Sequence, residues 1–238
     1  MSGANGVSAV LTLVFGFIGG YCDAVSYLLL KVFTGWVSGN LVLLSISIAS
    51  KDAPLAFSRA SAVLCFLIGT ACAVLFELKP PHNSARSALS FRLALGVEAI
   101  LIATAGVVFH SHVKGSHLLS LGCFCFALGL QNGTVLKIGG ASVHTTFITG
   151  VFTKFLQAGA KDISAPVPVI QRFKNLFVDT QFKNFSALGL CFGFGALMAA
   201  ALVHLWGPLA LVVPAGMVLL IASLASRAQL RRGLHGFE

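Results

Sequence analysis

The sequence predicts an all-α polytopic membrane protein with eight apolar helical segments in two four-segment repeats. Hydrophobic residues make up 57% of the 238 residues and charged residues only 10%, with a mean hydropathy of +0.92. A soluble domain carries about 25% charged residues, so this chain has too few polar side chains to cover a water-facing surface. The apolar residues also fall into long runs, and runs in the two halves share short motifs.

The apolar segments are separated by polar joints that contain Pro, Gly, Lys or Asp. A spanning helix needs about 20 residues, with a range of about 17–25, and the second and sixth segments are shorter than that. The segments are Val7–Leu30, Trp36–Ala49, Leu55–Phe76, Leu93–Phe109, Leu118–Leu136, Thr145–Ala160, Phe185–Leu205 and Leu209–Ala225.

The longest joint covers residues 161–184, and we expect it in the cytoplasm. Ile170, Phe173 and Phe177 recur at i, i+3 and i+7, with basic residues beside them. This pattern suits a short amphipathic helix that lies on the membrane surface. A plain basic loop is the alternative.

Self-similarity divides the chain into halves of about 7–110 and 117–226 within one membrane domain. An offset of 109 relates residues 20–23 (Gly-Tyr-Cys-Asp) to residues 129–132 (Gly-Leu-Gln-Asn), and an offset of 126 relates residues 65–73 to residues 191–199, which share Cys-Phe-x-x-Gly-x-x-x-Ala. The second offset is larger than the first because the long joint adds residues to the second half. The motifs occur in the same order in both halves, which favours an internal repeat.

Two membrane arrangements fit the repeat. Eight crossings give parallel halves, whereas six crossings with two short re-entrant segments give inverted halves. The distribution of Lys and Arg does not separate them, and we favour eight. Both arrangements place Arg227, Arg231 and Arg232 inside. We therefore expect a multi-pass protein of the plasma membrane or the bacterial inner membrane, with a cytoplasmic C-terminus.

Two carboxyl groups fall inside apolar segments, Asp23 in the first and Glu98 in the fourth. An ionised side chain in mid-membrane costs about 2.5–3.5 kcal/mol on the insertion scale. A carboxyl that gains and loses a proton there is what proton coupling requires. We predict proton-coupling roles for Asp23 and Glu98, with His144 as a relay. The alternative is a neutral carboxyl group bonded to a neighbouring helix.

Uncharged polar groups occur at matching positions of the two halves. Short, Gly-interrupted segments of this kind are the best sequence indication of a transporter's binding site. Packing of close helices is the alternative, because Ser, Thr and Gly also line tight helix contacts. The predicted substrate-binding residues are Asp23, Ser38, Asn40, Gln131, Asn132, Thr145 and Thr149.

Several classes of function have no support. The sequence lacks the G-x-S-x-G, H-E-x-x-H and phosphate-loop motifs, so we do not expect an enzyme. We expect no cofactor and no metal, and read His110, His112 and His117 as loop residues. No nucleic acid is expected, because the net charge of +9 lies mostly between apolar runs, where it sets orientation.

The motifs together resemble the YoaK-like family of uncharacterised bacterial and fungal membrane proteins. They are Gly-Tyr-Cys-Asp-Ala-Val-Ser-Tyr (20–27), Ser-Gly-Asn (38–40), Glu98, Gly-Leu-Gln-Asn-Gly (129–133) and Thr-Thr-Phe-Ile-Thr-Gly (145–150). The resemblance runs from about Thr12 to Leu224. Family members usually show Thr-Gly-Asn where this chain has Ser38-Gly39-Asn40, and they are described with six membrane segments. The resemblance implies an architecture but no substrate.

We therefore predict a small-solute secondary transporter or permease with proton coupling. A non-transporting scaffold or partner-binding subunit is the alternative, and a membrane-embedded enzyme that uses Asp23 and Glu98 is a weaker third hypothesis. Membrane lipid and an unknown small solute are the expected partners. Since eight short helices enclose little volume, a homodimer remains an option.

Overall fold

The computed structural model describes residues 2–77, 84–111, 113, 115–133, 136–138, 141–143 and 180–224. These ranges form seven α-helices, one hairpin of two strands and one short 3₁₀ turn. The helices are α1 (Ser2–Leu30), α2 (Val37–Ala49), α3 (Ala53–Glu77), α4 (Ser84–His110), α5 (Ser116–Gly133), α6 (Thr180–Trp206) and α7 (Val212–Leu224). The strands are β1 (Leu136–Ile138) and β2 (Ala141–Val143), and the 3₁₀ turn is Gly207–Leu211.

Four helical stretches of the described chain are long and apolar enough to cross a bilayer. They are Leu13–Leu30, Ala53–Leu75, Arg92–His110 and Ser186–Ser223. The last covers 38 residues, which exceeds one crossing, and the 3₁₀ turn divides it between α6 and α7. Helix α2 is apolar but has only 13 residues.

Seven of the predicted apolar segments coincide with helices α1 to α7. Helix α4 begins at Ser84, before the predicted Leu93, and α6 begins at Thr180, inside the predicted joint 161–184. Helices extend past their apolar runs because a backbone outside the hydrocarbon can stay helical with polar side chains. The segment Thr145–Ala160 and the rest of the joint lie outside the described residues.

The hairpin is a feature that the all-α prediction missed. Strands β1 and β2 pair antiparallel, with Leu136 opposite Val143 and Ile138 opposite Ala141. Three-residue strands are too short to produce a recognisable alternation of polar and apolar residues.

Two helices end on a lysine in the left-handed region. Lys31 has φ 58° and donates its N–H to the Tyr27 carbonyl, which closes α1. Lys51 also has φ 58°, and the bonds Lys51 N–H to Ile48 O and Asp52 N–H to Ser47 O form a Schellman cap on α2. The next residue, Asp52, caps α3 by accepting the Leu55 N–H at 3.1 Å.

Helix α1 is the centre of the bundle. Of its spanning residues 56% are buried, against 28–33% for the other three candidate spans. It packs on α6, α7, α5 and β1, and the hydroxyl of Tyr21 donates to the Ala210 carbonyl at 2.8 Å. Side chains from α1 are therefore shielded from lipid by the surrounding helices.

Two helix pairs cross at glycines in the same way. Where α1 meets α6, a Cβ added to Gly20 would lie 2.0 Å from the Phe192 carbonyl oxygen, and one added to Gly195 would lie 2.2 Å from that of Phe17. The backbones therefore touch, and no other side chain fits either glycine position.

The crossing of α3 and α5 has the same construction. A Cβ on Gly129 would lie 2.2 Å from the Phe66 carbonyl oxygen, and one on Gly69 would lie 2.3 Å from that of Phe126. Adding 109 residues to the α1 positions gives those of α5, and adding 126 to the α3 positions gives those of α6. The two crossings thus correspond residue by residue.

Candidate functional site

Asp23 is a buried acid that holds a loop in place. It lies on α1, seven residues before the helix ends, and is 7% exposed. Its Oδ1 accepts the Thr34 hydroxyl at 3.0 Å and the Gly35 backbone N–H at 2.7 Å. Both donors belong to the loop between α1 and α2, so the carboxyl group draws this loop back into the bundle.

Asn40 fixes the same loop from the other side. The Phe33 N–H donates to Asn40 Oδ1 at 2.8 Å, and Asn40 Nδ2 donates to the Phe33 carbonyl at 2.5 Å. These two hydrogen bonds have the same pattern as the paired N–H and C=O bonds between residues of neighbouring antiparallel strands. Asn40 is 2% exposed, and its side-chain oxygen and nitrogen both have a partner within the chain.

Aromatic rings cover the loop where it leaves the bundle. Phe33 stacks on Tyr27 at 4.8 Å between ring centroids and meets Trp36 at 5.0 Å. The Lys31 Nζ lies 5.7 Å from the Tyr27 centroid. Aromatic and basic side chains together are typical of a membrane–water interface, which indicates that this end of α1 lies at the bilayer surface.

Glu98 is the most deeply buried acid among the described residues. It lies on α4 and is 1% exposed, between the buried side chains of Leu95 and Ile102. Its Oε1 has no hydrogen-bond partner in the described part of the chain. Cys22, the residue before Asp23 on α1, is also buried.

Gln131 is a buried amide whose polar atoms have no partner among the described residues. It lies on α5 and is 5% exposed, and neither Nε2 nor Oε1 forms a hydrogen bond there. Helices α4 and α5 are antiparallel, since Ser120 Oγ donates to the Ala105 carbonyl at 2.7 Å. Continuing this register places Gln131 about one turn beyond the level of Glu98.

We use the name polar core for the buried polar side chains of α1, α4 and α5 described above, which are Cys22, Asp23, Glu98 and Gln131. The apolar side chains of Val25 on α1, Leu95 on α4 and Leu128 on α5 are buried as well. An unpartnered buried polar atom costs about 1–3 kcal/mol. The polar core therefore contains groups that hold the fold together and groups that weaken it.

The predicted site residues divide between several places. Asp23 and Asn40 meet at the α1–α2 loop, and Glu98 and Gln131 lie deeper in the bundle. Ser38 is exposed on the first turn of α2, apart from the polar core, and Asn132 is half-buried on α5 with an interaction of its own. Thr145, Thr149 and His144 lie outside the described residues.

Three polar residues were missed by the sequence reasoning. Thr34 and Gly35 bond to Asp23, and only the fold could show this, because a short loop carries no periodic signal. Arg59 is 7% exposed on α3. A signal did exist for it, since any ionisable residue inside a spanning segment is a functional candidate.

The structure also offers an apolar groove of about 320 Å³ on the outside of α3, α4 and α5. No residue of the polar core lines it. Its composition suits an acyl chain better than a polar solute. The lining residues are Cys65, Ile68, Leu101, Leu118, Leu119, Gly122, Cys123 and Phe126.

The described residues bring no three His, Cys, Asp or Glu side chains together as metal ligands would require. The six cysteines, all within this part of the chain, are unpaired. The site is thus built from carboxyl, amide and thiol groups in an apolar bundle.

Comparison with known proteins agrees with a membrane protein. Residues 11–224 match the family described as "Protein of unknown function (DUF1275)". The chain is 28% identical over 214 residues to the UPF0700 transmembrane protein YoaK of Bacillus subtilis (strain 168), which covers 87% of this chain and 90% of that protein. It is 26% identical over 221 residues to the UPF0700 transmembrane protein RA0705 of Rhizobium meliloti (strain 1021), covering 93% and 87%. No solved structure matches.

Proposed function

The chain belongs to the DUF1275 family of proteins of unknown function, and we propose that it is a small-solute permease with proton coupling through Glu98. The observation that supports this proposal is a pair of buried polar groups without hydrogen-bond partners among the described residues, Glu98 Oε1 and the Gln131 amide. In the antiparallel register of α4 and α5 their levels differ by about one helical turn. The predicted resemblance to the YoaK-like family is confirmed by the similarity to YoaK.

The free-energy cost of burying polar atoms without hydrogen bonds argues for a bound ligand. Glu98 Oε1 and both polar atoms of Gln131 lack partners among the described residues. Inside a bilayer no water replaces the missing hydrogen bonds, so such groups are rare and mark pathways for ions or solutes. A Leu at position 131 would fill the same space without this cost. We infer that a bound solute completes the hydrogen bonds.

The chemistry of the two side chains limits the solute. Gln131 offers two donors and one acceptor, and Glu98 accepts when ionised but also donates when protonated. An uncharged solute with adjacent donors and acceptors, such as an amide or a polyol, satisfies both. A negative charge on the solute would add a desolvation cost that no described residue near Gln131 offsets, and the Glu98 carboxylate would repel it.

We assign the coupling proton to Glu98 in preference to Asp23. Asp23 is also buried, but its Oδ1 already accepts two hydrogen bonds from the α1–α2 loop. We propose that Asp23 takes up a proton only when this loop moves away. The relay role of His144 and the solute contacts of Ser38, Asn132, Thr145 and Thr149 stay predictions.

We propose six crossings with α2 re-entrant and two related, inverted halves, 7–110 and 117–226, in place of the eight crossings favoured from the sequence. Helices α4 and α7 run antiparallel, since Arg92 Nε donates to the Ala222 carbonyl and a Cβ on Gly106 would meet Leu211, whereas eight crossings would make these two helices parallel. The residue-by-residue match of the two glycine crossings supports the repeat.

Helix α2 alone covers about 20 Å, less than the 30 Å of the hydrocarbon. The chain also reverses between Phe33 and Asn40, because the Asn40 side chain bonds to the Phe33 backbone, so α2 runs back towards the surface that α1 reaches. We keep the C-terminus in the cytoplasm in this proposal.

Proteoliposomes test the permease directly. Purified protein is reconstituted with a pH-sensitive dye inside, and a panel of amides, polyols and amino acids is added outside. We expect one class to drive proton movement. Glu98→Gln should abolish proton movement while retaining solute uptake by exchange, and Gln131→Leu should weaken uptake at least tenfold.

Asp52→Asn is the matched control, because Asp52 is an exposed carboxyl at the α2–α3 turn. It should transport like the unchanged protein. If a solute-driven proton flux were found and Glu98→Gln left it intact, the assignment of the proton to Glu98 would be wrong.

A non-transporting scaffold is the second candidate. The observation in its favour is that Asp23 and Asn40 bond within the chain and pack the α1–α2 loop tightly. A scaffold predicts that Gln131→Leu stabilises the protein and leaves every cellular phenotype unchanged. Loss of uptake without loss of folding in that variant decides for the permease.

A further inference from the structure

The polar core is enclosed by the helices around it. Cys22, Glu98 and Gln131 are all buried, so a solute cannot reach them while the described helices and loops keep this arrangement. Entry of a solute therefore requires a segment that can move without unwinding a helix. The loop of residues 31–36, between α1 and α2, is such a segment, because it is not helical and is partly buried in the bundle.

Helices α1, α4 and α6 all end at the same face of the bundle. Helix α1 runs parallel to α6, since Gly16 packs on Leu188 and Gly20 packs on Phe192, four residues later on both helices. The 3₁₀ turn that follows α6 packs on Gly106, one turn before the end of α4. The α1–α2 loop therefore lies at this face, which is the outer one in the proposed topology.

Glu98 lies deeper than this loop. Tyr21 donates to the Ala210 carbonyl of the 3₁₀ turn, so Tyr21 and Gly106 both lie near the depth of that turn. Glu98 precedes Gly106 by eight residues of helix, which places it about 12 Å farther from the outer face. Asp23 follows Tyr21 towards the face. A solute that enters from outside must therefore pass the level at which the loop is bonded to Asp23.

The bonds that hold the loop inside the bundle converge on one side chain of α1. Thr34 and Gly35 both donate to Asp23 Oδ1. Phe33 bonds instead to Asn40, which belongs to α2. Breaking the bonds to Asp23 therefore releases the loop from α1 and leaves it attached to α2.

Helix α2 has a separate anchor on α3. Arg59 Nη1 donates to the Leu43 carbonyl at 2.6 Å and also to the Ser47 hydroxyl, and α2 packs chiefly on α3. The second half of α2 is thus fixed to α3, whereas the loop before its first turn is bonded to α1 through Asp23. The loop can leave α1 while the Arg59 bonds stay intact.

We propose that the α1–α2 loop is the outer gate of the permease, and that the bonds from Thr34 and Gly35 to Asp23 are its latch. The gate rests on the proposed function, since it is needed only if a solute enters the polar core. When the latch opens, the loop moves away from α1 and uncovers Glu98. Non-helical backbone at membrane depth is tolerated where it is buried in protein or lines a water-filled cavity, and the gate alternates between these two conditions.

The Cys22 thiol reports the opening of this gate without any transported solute. In a chain whose other cysteines are replaced by Ala, a charged methanethiosulfonate reagent is added to intact cells and, separately, to inside-out vesicles. The thiol that remains is measured over time by gel shift. We expect slow modification in the chain with an intact latch and about tenfold faster modification from the loop side in Thr34→Val. Lys31→Cys, as a single thiol, marks the loop side.

Thr70→Val is the matched control. The Thr70 hydroxyl donates to the Gly129 carbonyl at 3.1 Å, where α3 crosses α5, so the same substitution removes one hydrogen bond away from the loop. It should leave the rate at Cys22 unchanged. Equal acceleration in Thr70→Val and Thr34→Val would show general loosening of the bundle and overturn the gate. If Thr34→Val fails to fold, Asp23→Asn gives the comparison, with Asp52→Asn as its control.

The gate and the permease can fail separately. Faster modification of Cys22 in Thr34→Val, with no solute-driven proton movement in proteoliposomes, would support the latch and count against the permease. Proton movement combined with equal Cys22 rates in the intact chain and in the folded latch variants would keep the permease and overturn the gate.

Discussion

Asp23 and Glu98 are both acids inside apolar helices, and they illustrate two uses of a buried polar group. Asp23 accepts two hydrogen bonds that fix a loop, so its burial adds to stability. Glu98 Oε1 has no partner in the described chain, so its burial reduces stability. At the scale of single residues, satisfied groups are structural, and unsatisfied groups are candidates for ligand binding.

The structural role of Asp23 gives the first prediction. Asp23→Ala removes two hydrogen bonds to a carboxyl group, each worth about 1.5–3 kcal/mol, and leaves the Gly35 N–H without its acceptor. Together these are about 3–6 kcal/mol, so we expect the Tm in detergent to fall by about 6–24 °C. Asp23→Asn keeps an acceptor oxygen and should lose less than half as much.

The control is Thr34→Val, which removes only one of the two donors. Its loss should be smaller than that of Asp23→Ala. A Tm of Asp23→Ala within 1–2 °C of the unchanged protein would show that the loop does not depend on Asp23.

Lys51 gives the second prediction. Its φ of 58° is costly for a residue with a Cβ and suits glycine. Lys51→Gly should therefore stabilise the protein by about 0.5–1 kcal/mol, seen as a small rise in Tm. Lys51→Ala keeps the Cβ and should give no gain, so a rise in both variants would point to the lost charge instead.

At the scale of helices, close approach at glycine decides the packing. Helix association in lipid depends on van der Waals contact and not on water, so small residues at crossings let two backbones touch. Both crossings of the bundle use a glycine on each helix. Helices α1 and α6, and likewise α3 and α5, are thereby joined as tight pairs.

This packing gives the third prediction. Gly20→Ala adds a methyl group 2.0 Å from the Phe192 carbonyl oxygen, so α1 and α6 must separate. We expect a destabilisation of about 1–3 kcal/mol, measured as a lower Tm and a smaller folded fraction in size-exclusion chromatography.

Gly193→Ala is the control on the partner helix, because an added Cβ there meets nothing within 4 Å. It should be neutral or slightly stabilising, since Ala is the better helix former. Equal effects of the two substitutions would contradict the crossing.

At the scale of the whole molecule, the number of crossings decides how the halves are related. Single-cysteine variants at Lys31 and Lys137, in a background without the native cysteines, report which side each position faces. Six crossings place position 31 outside and position 137 inside, so a membrane-impermeant maleimide should label position 31 alone in intact cells. Labelling of both positions would favour the eight-crossing arrangement.

The positions of most helices could be predicted from the sequence. The apolar runs matched α1, α2, α3, α5 and α7 to within a few residues, because a bilayer demands long uninterrupted apolar stretches and these are visible in any window of the chain. The bounds of α4 and α6 were less accurate. Their first turns are polar, and outside the hydrocarbon a helix needs no apolar signal.

The candidate site could be predicted only in part. Asp23, Asn40, Glu98 and Gln131 were identified because polar groups stand out in apolar segments. Which of them already had partners could not be predicted, because Thr34 and Gly35 reach Asp23 only after the chain turns back. Arg59 was overlooked although it lies inside a predicted apolar segment, where any ionisable residue is a functional candidate.

By itself the sequence determined that this protein crosses a membrane many times and that its polar groups lie among apolar helices. Both follow from composition and from runs of residues, which are local properties of the chain. Only the tertiary structure decided which polar groups of the described chain are satisfied, where backbones touch at Gly20 and Gly129, and which carbonyl and hydroxyl groups of α2 Arg59 reaches. These depend on distances between residues far apart in the chain, and packing alone fixes those distances.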